Sequence, residues 1–180
     1  MKITACIAVS LFVTGAGAAP SPSSPYVGQK EAAIKALSAE EQAALLDGQG
    51  SGFAKAAELN GYPGPRHVLD LAGELALTPS QRAATQALFE RMRADARAAG
   101  AALVDAERAL DALYAAKIAT PAAVDAELAK IEGLRIRLRG IHLNAHLEQA
   151  ALLTHHQVML YSRLRGYDAG GPRQDGHHGH

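Results

Sequence analysis

Histidine is the residue type with the most chemical potential in this sequence, and its distribution is uneven. Seven of the eight histidines lie within residues 142–180. His142 and His146 are four residues apart and would share one face of a helix. Two imidazoles at this spacing can bind one zinc or nickel ion when other elements add ligands. The alternative is a polar border beside an apolar stripe, because the pair falls in line with Arg135 and Arg139.

The other histidines of this region carry weaker signals. His155 and His156 fall in the first turn of a predicted helix, where we expect them to be exposed. The chain ends in GHHGH, which places three further imidazoles on a predicted disordered tail over 168–180: His177, His178 and His180. Such a tail binds zinc, nickel or copper weakly whatever its purpose, so adventitious and physiological binding both remain open.

The elements that would position these histidines are helices. A chain of 180 residues suits one modest domain, and Ala, Leu, Glu and Arg, which favour helices, are plentiful. Extended alternating runs of Val, Ile, Thr and Tyr are absent, so strands are not expected. The predicted fold class is therefore all-α. The formal net charge of zero argues against a dedicated nucleic-acid-binding protein.

The first residues predict a secretory signal peptide over 1–18. Lys2 precedes a short apolar core, and Ala16-Gly17-Ala18 is a small-x-small cleavage site. The apolar core is too short to span a membrane, although an uncleaved anchor is the alternative. Cleavage would remove Cys6, the single cysteine of the sequence. No second apolar stretch reaches membrane-spanning length, so no membrane span is expected in the mature chain.

Short elements are predicted before the main helices. Proline and serine dominate residues 19–29, which indicates a flexible leader. Residues 30–63 are expected to form short helices. Ser38 and Glu41 have the spacing of a capping box at the first of them. A second short helix is predicted over 51–60.

Two long helices follow within residues 64–167. Apolar and small residues recur in steps of three and four over 78–117, a helical period in which Gly100 is the only weak point. A second long helix is predicted from Thr120 to Leu152. The connection between the two is very short, so they should form an antiparallel hairpin, followed by one last helix.

The pattern Leu-Thr-x-x-Gln occurs twice, at the start of the first long helix and at the start of the last helix. In each copy the threonine can cap the helix, and the glutamine three residues on can reach back to the threonine N–H. The leucine can pack onto the first turn. A helix start is sufficient to explain both copies: Leu77, Thr78 and Gln81, then Leu153, Thr154 and Gln157.

A secreted all-helical chain with a long hairpin and two such motifs resembles the Spy/CpxP family of periplasmic proteins of Gram-negative bacteria. The resemblance covers residues 64–167 and implies a periplasmic, cradle-shaped antiparallel homodimer. The best-known members are ATP-independent chaperones of envelope stress, whose clients are unfolded proteins. Related members sense or buffer zinc, nickel or cobalt. The segment 55–75 is more typical of a subgroup described as heavy-metal sensor or resistance proteins.

The resemblance also suggests metal ligands. Metal-sensing relatives use histidine pairs and a carboxylate from neighbouring helices. His67 and His146 fall near two of these positions and Glu90 falls near the carboxylate position, with His146 and Glu90 offset. Leu71 stands where a partner of His67 is expected. No cofactor is required, and an ion bound here would be Zn, Ni, Co or Cu.

Just as histidines are the candidate ligands for metal binding, arginines along the hairpin are the candidate residues for binding chaperone clients. Arg93 and Arg97 share a face of the first long helix, as Arg135 and Arg139 do on the second. A concave surface that mixes arginine with apolar groups suits unfolded chains. Neighbouring acidic residues offer the alternative of internal neutralisation.

The sequence therefore predicts a protein that is not an enzyme. It has no cysteine nucleophile after cleavage, no glycine-rich phosphate loop and no Gly-x-Ser-x-Gly motif. A periplasmic holdase of envelope stress is the first interpretation, by a small margin. A metal-binding sensor or resistance accessory protein is the second, and a structural partner of a membrane regulator is the third.

Overall fold

The computed structural model describes residues 24–167, and this part of the chain contains helices and no strand. Six helices are present: α1 (Ala39–Asp47), α2 (Lys55–Glu58), α3 (Pro65–Asp70), α4 (Pro79–Ala115), α5 (Pro121–Leu152) and α6 (His155–Leu164). The all-α prediction is confirmed. None of the helices of residues 24–167 is both long enough and apolar enough to cross a membrane.

Several predicted segments fall outside the described range. The predicted signal peptide at 1–18, the predicted tail at 168–180 and residues 19–23 of the predicted leader lie there. The described residues before Ala32 form a unit of their own that consists of turns. The fold described below begins at Ala32.

The two long helices form the predicted antiparallel hairpin. α4 has 37 residues, which makes it about 55 Å long at the ordinary helical rise, and α5 has 32. Leu103 and Ala106 of α4 and Ile131 and Leu138 of α5 belong to one buried apolar cluster. α4 ends close to Lys117, which adopts a positive φ of 57° and so stops the helix.

Threonine caps start all three of the later helices. The side chains of Thr78, Thr120 and Thr154 each accept a hydrogen bond from the backbone N–H three residues on. Thr78 with Gln81 and Thr154 with Gln157 form complete capping boxes. These contacts need only local spacing, which is why the sequence indicates these helix starts.

α1 lies across the middle of α4 at a contact that requires glycine. A Cβ atom at Gly100 would lie 2.2 Å from the carbonyl oxygen of Leu45. Gly100 therefore does not break the long helix, and its missing side chain lets α1 approach the α4 backbone. The capping box of Ser38 and Glu41 starts α1 as predicted.

The second short helix is shorter than the predicted span of 51–60. α2 covers four residues, and no side chain caps it at Ala54. The reason lies in the backbone before it, since Ser51 and Gly52 have positive φ values of 39° and 81°. A residue with a positive φ cannot continue a right-handed helix, so residues 51–54 form turns.

Candidate functional site

A cleft of about 370 Å³ brings together histidines that are far apart in the sequence. His67 of α3 lines it together with His142 and His146 of α5. The backbone of Gly50 and Gly64 forms part of its wall. Three residues that sequence reasoning named as metal candidates therefore share one concave site.

The ring of His146 is fixed by a hydrogen bond from one of its nitrogens to the protein backbone. Its Nδ1 atom lies 2.7 Å from the carbonyl oxygen of Tyr62. A carbonyl oxygen only accepts, so Nδ1 carries the hydrogen and Nε2 keeps a lone pair in the neutral ring. A Cβ atom at Gly64 would lie 3.0 Å from this Nε2 atom. The glycine therefore leaves room for the nitrogen that is able to bind a metal.

His142 is a buried imidazole with an unsatisfied nitrogen. Only 3% of the residue is exposed, and its ring stacks on Phe53 with a centroid separation of 5.9 Å. Its Nε2 atom has no hydrogen-bond partner within residues 24–167. Burial, with a smaller contribution from nearby His146, lowers the pKa of His142 below its ordinary value. The ring is thus neutral near pH 7 and offers lone-pair density.

His67 completes the set from the more exposed side of the cleft. Its Nδ1 atom lies 3.7 Å from Oδ2 of Asp70, one turn further along α3. Among residues 24–167, no three His, Cys, Asp or Glu side chains are already placed to share one ion. Neutral imidazoles suit Zn, Ni, Co and Cu, so the donors fit such ions. Binding would require a rearrangement of these side chains.

The burial of His142 and His146 differs from the polar-border interpretation. Both side chains are interior, with 3% and 8% of the residue exposed. The helix pattern could not indicate this, because the short N-terminal elements cover a face that the hairpin alone leaves open. Arg139, in line with them in the sequence, is exposed and lines a different pocket with Phe53 and Lys55.

Other predicted metal candidates lie elsewhere. Glu90 is exposed, accepts a hydrogen bond of 2.7 Å from Nε2 of Gln86, and does not line the cleft. His155 and His156 are exposed at the start of α6. The last three candidates lie outside the described residues: His177, His178 and His180.

Glu58 is a residue of this site that sequence reasoning missed. Its Oε2 atom lies 3.6 Å from Nδ1 of His146, although the two residues are far apart in the chain. The carboxylate is largely buried, and Oε2 has no hydrogen-bond partner within the described residues. No local spacing connects Glu58 to the histidines, so no signal in the sequence could have found it.

Three of the four predicted client-binding arginines have intramolecular partners. Arg93 binds the side chain and the carbonyl oxygen of Asp47, and Arg97 donates to the Leu46 carbonyl at 3.2 Å. Both therefore hold the C-terminal end of α1. Arg135 donates to buried Glu107 at 2.7 Å. The carboxylate contacts of Arg93 and Arg135 are the internal neutralisation that the sequence left as an alternative.

The two Leu-Thr-x-x-Gln motifs meet in space, and we call Gln81 with Gln157 the glutamine pair. Gln81 Nε2 donates to Gln157 Oε1 at 2.9 Å, and Gln157 Nε2 donates back at 3.1 Å. The same amide groups donate to the carbonyl oxygens of Leu152 and Leu75. The motif residues thus do more than start two helices, because they join the two starts to each other.

Residues 50–159 match the family model described as heavy-metal resistance, which is more than half of the chain. The chain therefore belongs to the heavy-metal resistance family, a group of Spy/CpxP-like helical proteins. The matched range contains the cleft histidines and both Leu-Thr-x-x-Gln motifs. No curated protein and no solved structure matches the chain significantly.

Proposed function

We propose that this protein is a periplasmic metal-binding protein that senses or buffers a divalent transition-metal ion in the histidine cleft. The observation that carries the proposal is the state of two buried imidazoles. His142 has an Nε2 atom without a partner in residues 24–167, and His146 has its Nδ1 atom committed to a carbonyl oxygen. The arrangement of His146 is the usual one for a metal-ligating histidine, whose second nitrogen donates to a backbone carbonyl.

The location, the oligomeric state and the partner included in this proposal rest on the sequence and on the family resemblance. The predicted signal peptide at 1–18 supports a periplasmic location, and histidine side chains are available in the neutral form at periplasmic pH. Loss of Cys6 on cleavage leaves imidazole and carboxylate as the only strong donors. The protein acts without a catalytic constellation, as a homodimer, and a membrane regulator is its natural partner if the bound ion is a signal.

Zinc binding to the full mature chain tests the proposal. All variants carry alanine at the three tail histidines, so that the tail contributes nothing: His177, His178 and His180. We expect one zinc ion per chain by isothermal titration, and at least a hundredfold weaker binding after His142→Ala with His146→Ala. The matched control, His155→Ala with His156→Ala, removes two exposed imidazoles and should keep the affinity. Equal zinc binding by both double variants would reject the cleft as the site.

A holdase is the second candidate function, supported by apolar side chains exposed on α5. Ile136 is 71% exposed and Leu147 is 53% exposed, on a helix whose other face builds the core. Such groups suit loose contact with unfolded proteins or with a second copy. The internal partners of three candidate arginines weaken this function relative to metal binding.

Light scattering of an aggregating client, without ATP, separates the two functions. Suppression in the presence of a chelator supports a metal-independent holdase, and Ile136→Ser with Leu147→Ser should then reduce it. Failure to suppress at several-fold molar excess, with or without zinc, argues against the holdase. The cleft variant with His142→Ala and His146→Ala serves as the control that leaves this face intact.

A further inference from the structure

Glu58 joins three parts of the molecule around one carboxylate. Its Oε1 atom accepts hydrogen bonds from the hydroxyl groups of Tyr161 at 2.6 Å and Tyr167 at 2.9 Å. Nε of Arg165 lies 3.4 Å from the same oxygen. Glu58 itself belongs to α2, and its other oxygen faces His146 of α5. The carboxylate thus lies between the histidine cleft and the C-terminal end of α6.

The two oxygens of Glu58 are used unequally. Oε1 has three donors around it, whereas Oε2 is buried without a hydrogen-bond partner among residues 24–167. Oε2 is 3.6 Å from His146 Nδ1, whose hydrogen goes to the Tyr62 carbonyl at 2.7 Å. A buried carboxylate oxygen without a donor is costly. Oε2 of Glu58 is therefore placed to accept a hydrogen bond from His146 Nδ1 if that group becomes a stronger donor.

We propose that Glu58 is the positioning carboxylate of the metal site and that it couples metal binding at His146 to the docking of the C-terminal end of α6. The inference rests on the proposed metal-binding function. With a metal ion held by Nε2, the imidazole ring of His146 would lose electron density and its Nδ1 hydrogen would be a stronger donor. A nearby carboxylate then competes better for that hydrogen, as carboxylate–histidine–metal groups do.

Tyr161 and Tyr167 connect Glu58 to α6 and to the residues that follow it. Tyr161 is 1% exposed and belongs to the apolar cluster of Val68 and Leu75. Burial and the hydrogen bond to Glu58 raise the pKa of Tyr161 well above its ordinary value, so its hydroxyl remains a donor. Because Oε1 of Glu58 holds both hydroxyl groups, a change in the position of this carboxylate would be transmitted to Tyr161 and Tyr167. Metal binding should therefore tighten the segment 161–167 onto α2.

The first test measures zinc affinity in the full mature chain, with the three tail histidines replaced as above. Glu58→Gln keeps the size of the side chain and removes its charge. We expect its zinc affinity to fall about 10- to 100-fold, the usual loss when an outer partner of a ligating histidine is removed. Glu107→Gln is the matched control, since Glu107 is also a buried carboxylate paired with an arginine, and its affinity should equal that of the parent chain.

The second test is hydrogen exchange of the backbone amides of residues 158–167, with and without saturating zinc. The parent chain should exchange more slowly with zinc. Tyr161→Phe with Tyr167→Phe keeps the packing and removes both hydroxyl donors to Glu58, leaving Arg165. This variant should still bind zinc at saturating concentration and lose the zinc-dependent protection. It also tests the proposal if Glu58→Gln does not fold.

The outcomes separate the inference from the function on which it rests. Absence of zinc binding by the parent chain rejects both. Zinc binding by the parent with equal affinity in folded Glu58→Gln rejects Glu58 as a positioning residue and leaves the metal function standing. Zinc-dependent protection that persists in the double tyrosine variant, or is absent in the parent, rejects the coupling to α6.

Discussion

The glutamine pair and the histidine cleft are two polar clusters that use their polar atoms in opposite ways. In the glutamine pair, each side-chain amide donates to its partner and to a backbone carbonyl. Each amide oxygen also accepts from the N–H of its own capping threonine. By contrast, Nε2 of His142 in the cleft and Oε2 of Glu58 beside His146 are buried and lack partners within residues 24–167.

This difference separates a structural cluster from one available to a ligand. A buried polar network in which every member is paired adds stability and specifies one arrangement of its helices. Buried polar atoms without partners cost stability, so their presence calls for another explanation, such as a ligand. The glutamine pair accordingly holds α4 to α6, whereas the histidine cleft is the cluster for which we propose a bound ion.

The largest expected effect comes from opening the glutamine pair. Gln157→Ala leaves the Leu75 carbonyl, the Thr154 N–H and Gln81 without their partner. We expect the free energy of unfolding to fall by about 2 kcal/mol in chemical denaturation, with zinc affinity unchanged. Gln86→Ala, at an exposed site, is the control and should change stability little. A loss of zinc affinity in folded Gln157→Ala would contradict the division between the two clusters.

The next effect comes from filling the space beside His146 without removing a ligand. Gly64→Ala would place a Cβ atom 3.0 Å from Nε2 of His146. We expect about a tenfold loss of zinc affinity, equivalent to about 1.4 kcal/mol, in a competition assay. Gly73→Ala is the matched control, because nothing lies within 4 Å of the added carbon. Unchanged affinity in Gly64→Ala would place the ion away from that nitrogen.

A smaller effect is expected from the capping threonines. Thr78→Ala and Thr154→Ala each remove one hydrogen bond to a helix N-terminus and should each cost about 1 kcal/mol of unfolding free energy. Thr120 caps α5 without a glutamine box, so Thr120→Ala is a comparison for the cap alone. If metal binding or client protection fell in Thr78→Ala while stability held, the motif would have a function of its own.

The smallest effect is a pH dependence of the metal-free protein. Because the pKa of His142 is lowered in the folded state, the unfolded chain binds a proton that the folded chain resists. Stability is therefore fully present above the unfolded pKa of about 6.5 and declines as the pH falls below it toward the folded pKa. Thermal unfolding with a chelator between pH 7.5 and 5.5 measures this decline.

His142→Phe keeps an aromatic ring beside Phe53 and should remove the His142 contribution to the pH dependence. His156→Ala, at an exposed position, should retain it. An identical decline in His142→Phe and in the parent chain would show that other groups cause the destabilisation.

Much of the fold could be predicted because its main signals are local. Capping boxes need residues three apart, and the apolar period defines α4 and α5 within a few residues. The helix predicted over 51–60 was too long, because the positive φ values at Ser51 and Gly52 are not encoded in helix propensity. The resemblance to Spy/CpxP-like proteins is supported at the level of the helical family.

The candidate site was predictable only in part. His142 and His146 were recognised as a pair because helical spacing places them on one face. Their burial, the approach of His67 and the position of Glu58 depend on short elements that fold back over α5. Likewise, Gly100 reads as a weakness in sequence, and only the contact with Leu45 shows why glycine is needed there.

By itself, the sequence determined the helices, their starts and the hairpin, because hydrogen bonds and side-chain periodicity act over three or four residues. The tertiary structure alone decided which polar atoms are satisfied. Gln81 forms a hydrogen bond with Gln157, and Arg93 forms one with Asp47. Nε2 of His142, in contrast, has no hydrogen-bond partner in the described part of the chain. The physical reason is that partners distant in sequence meet only after packing, and packing also sets which buried groups can no longer reach water.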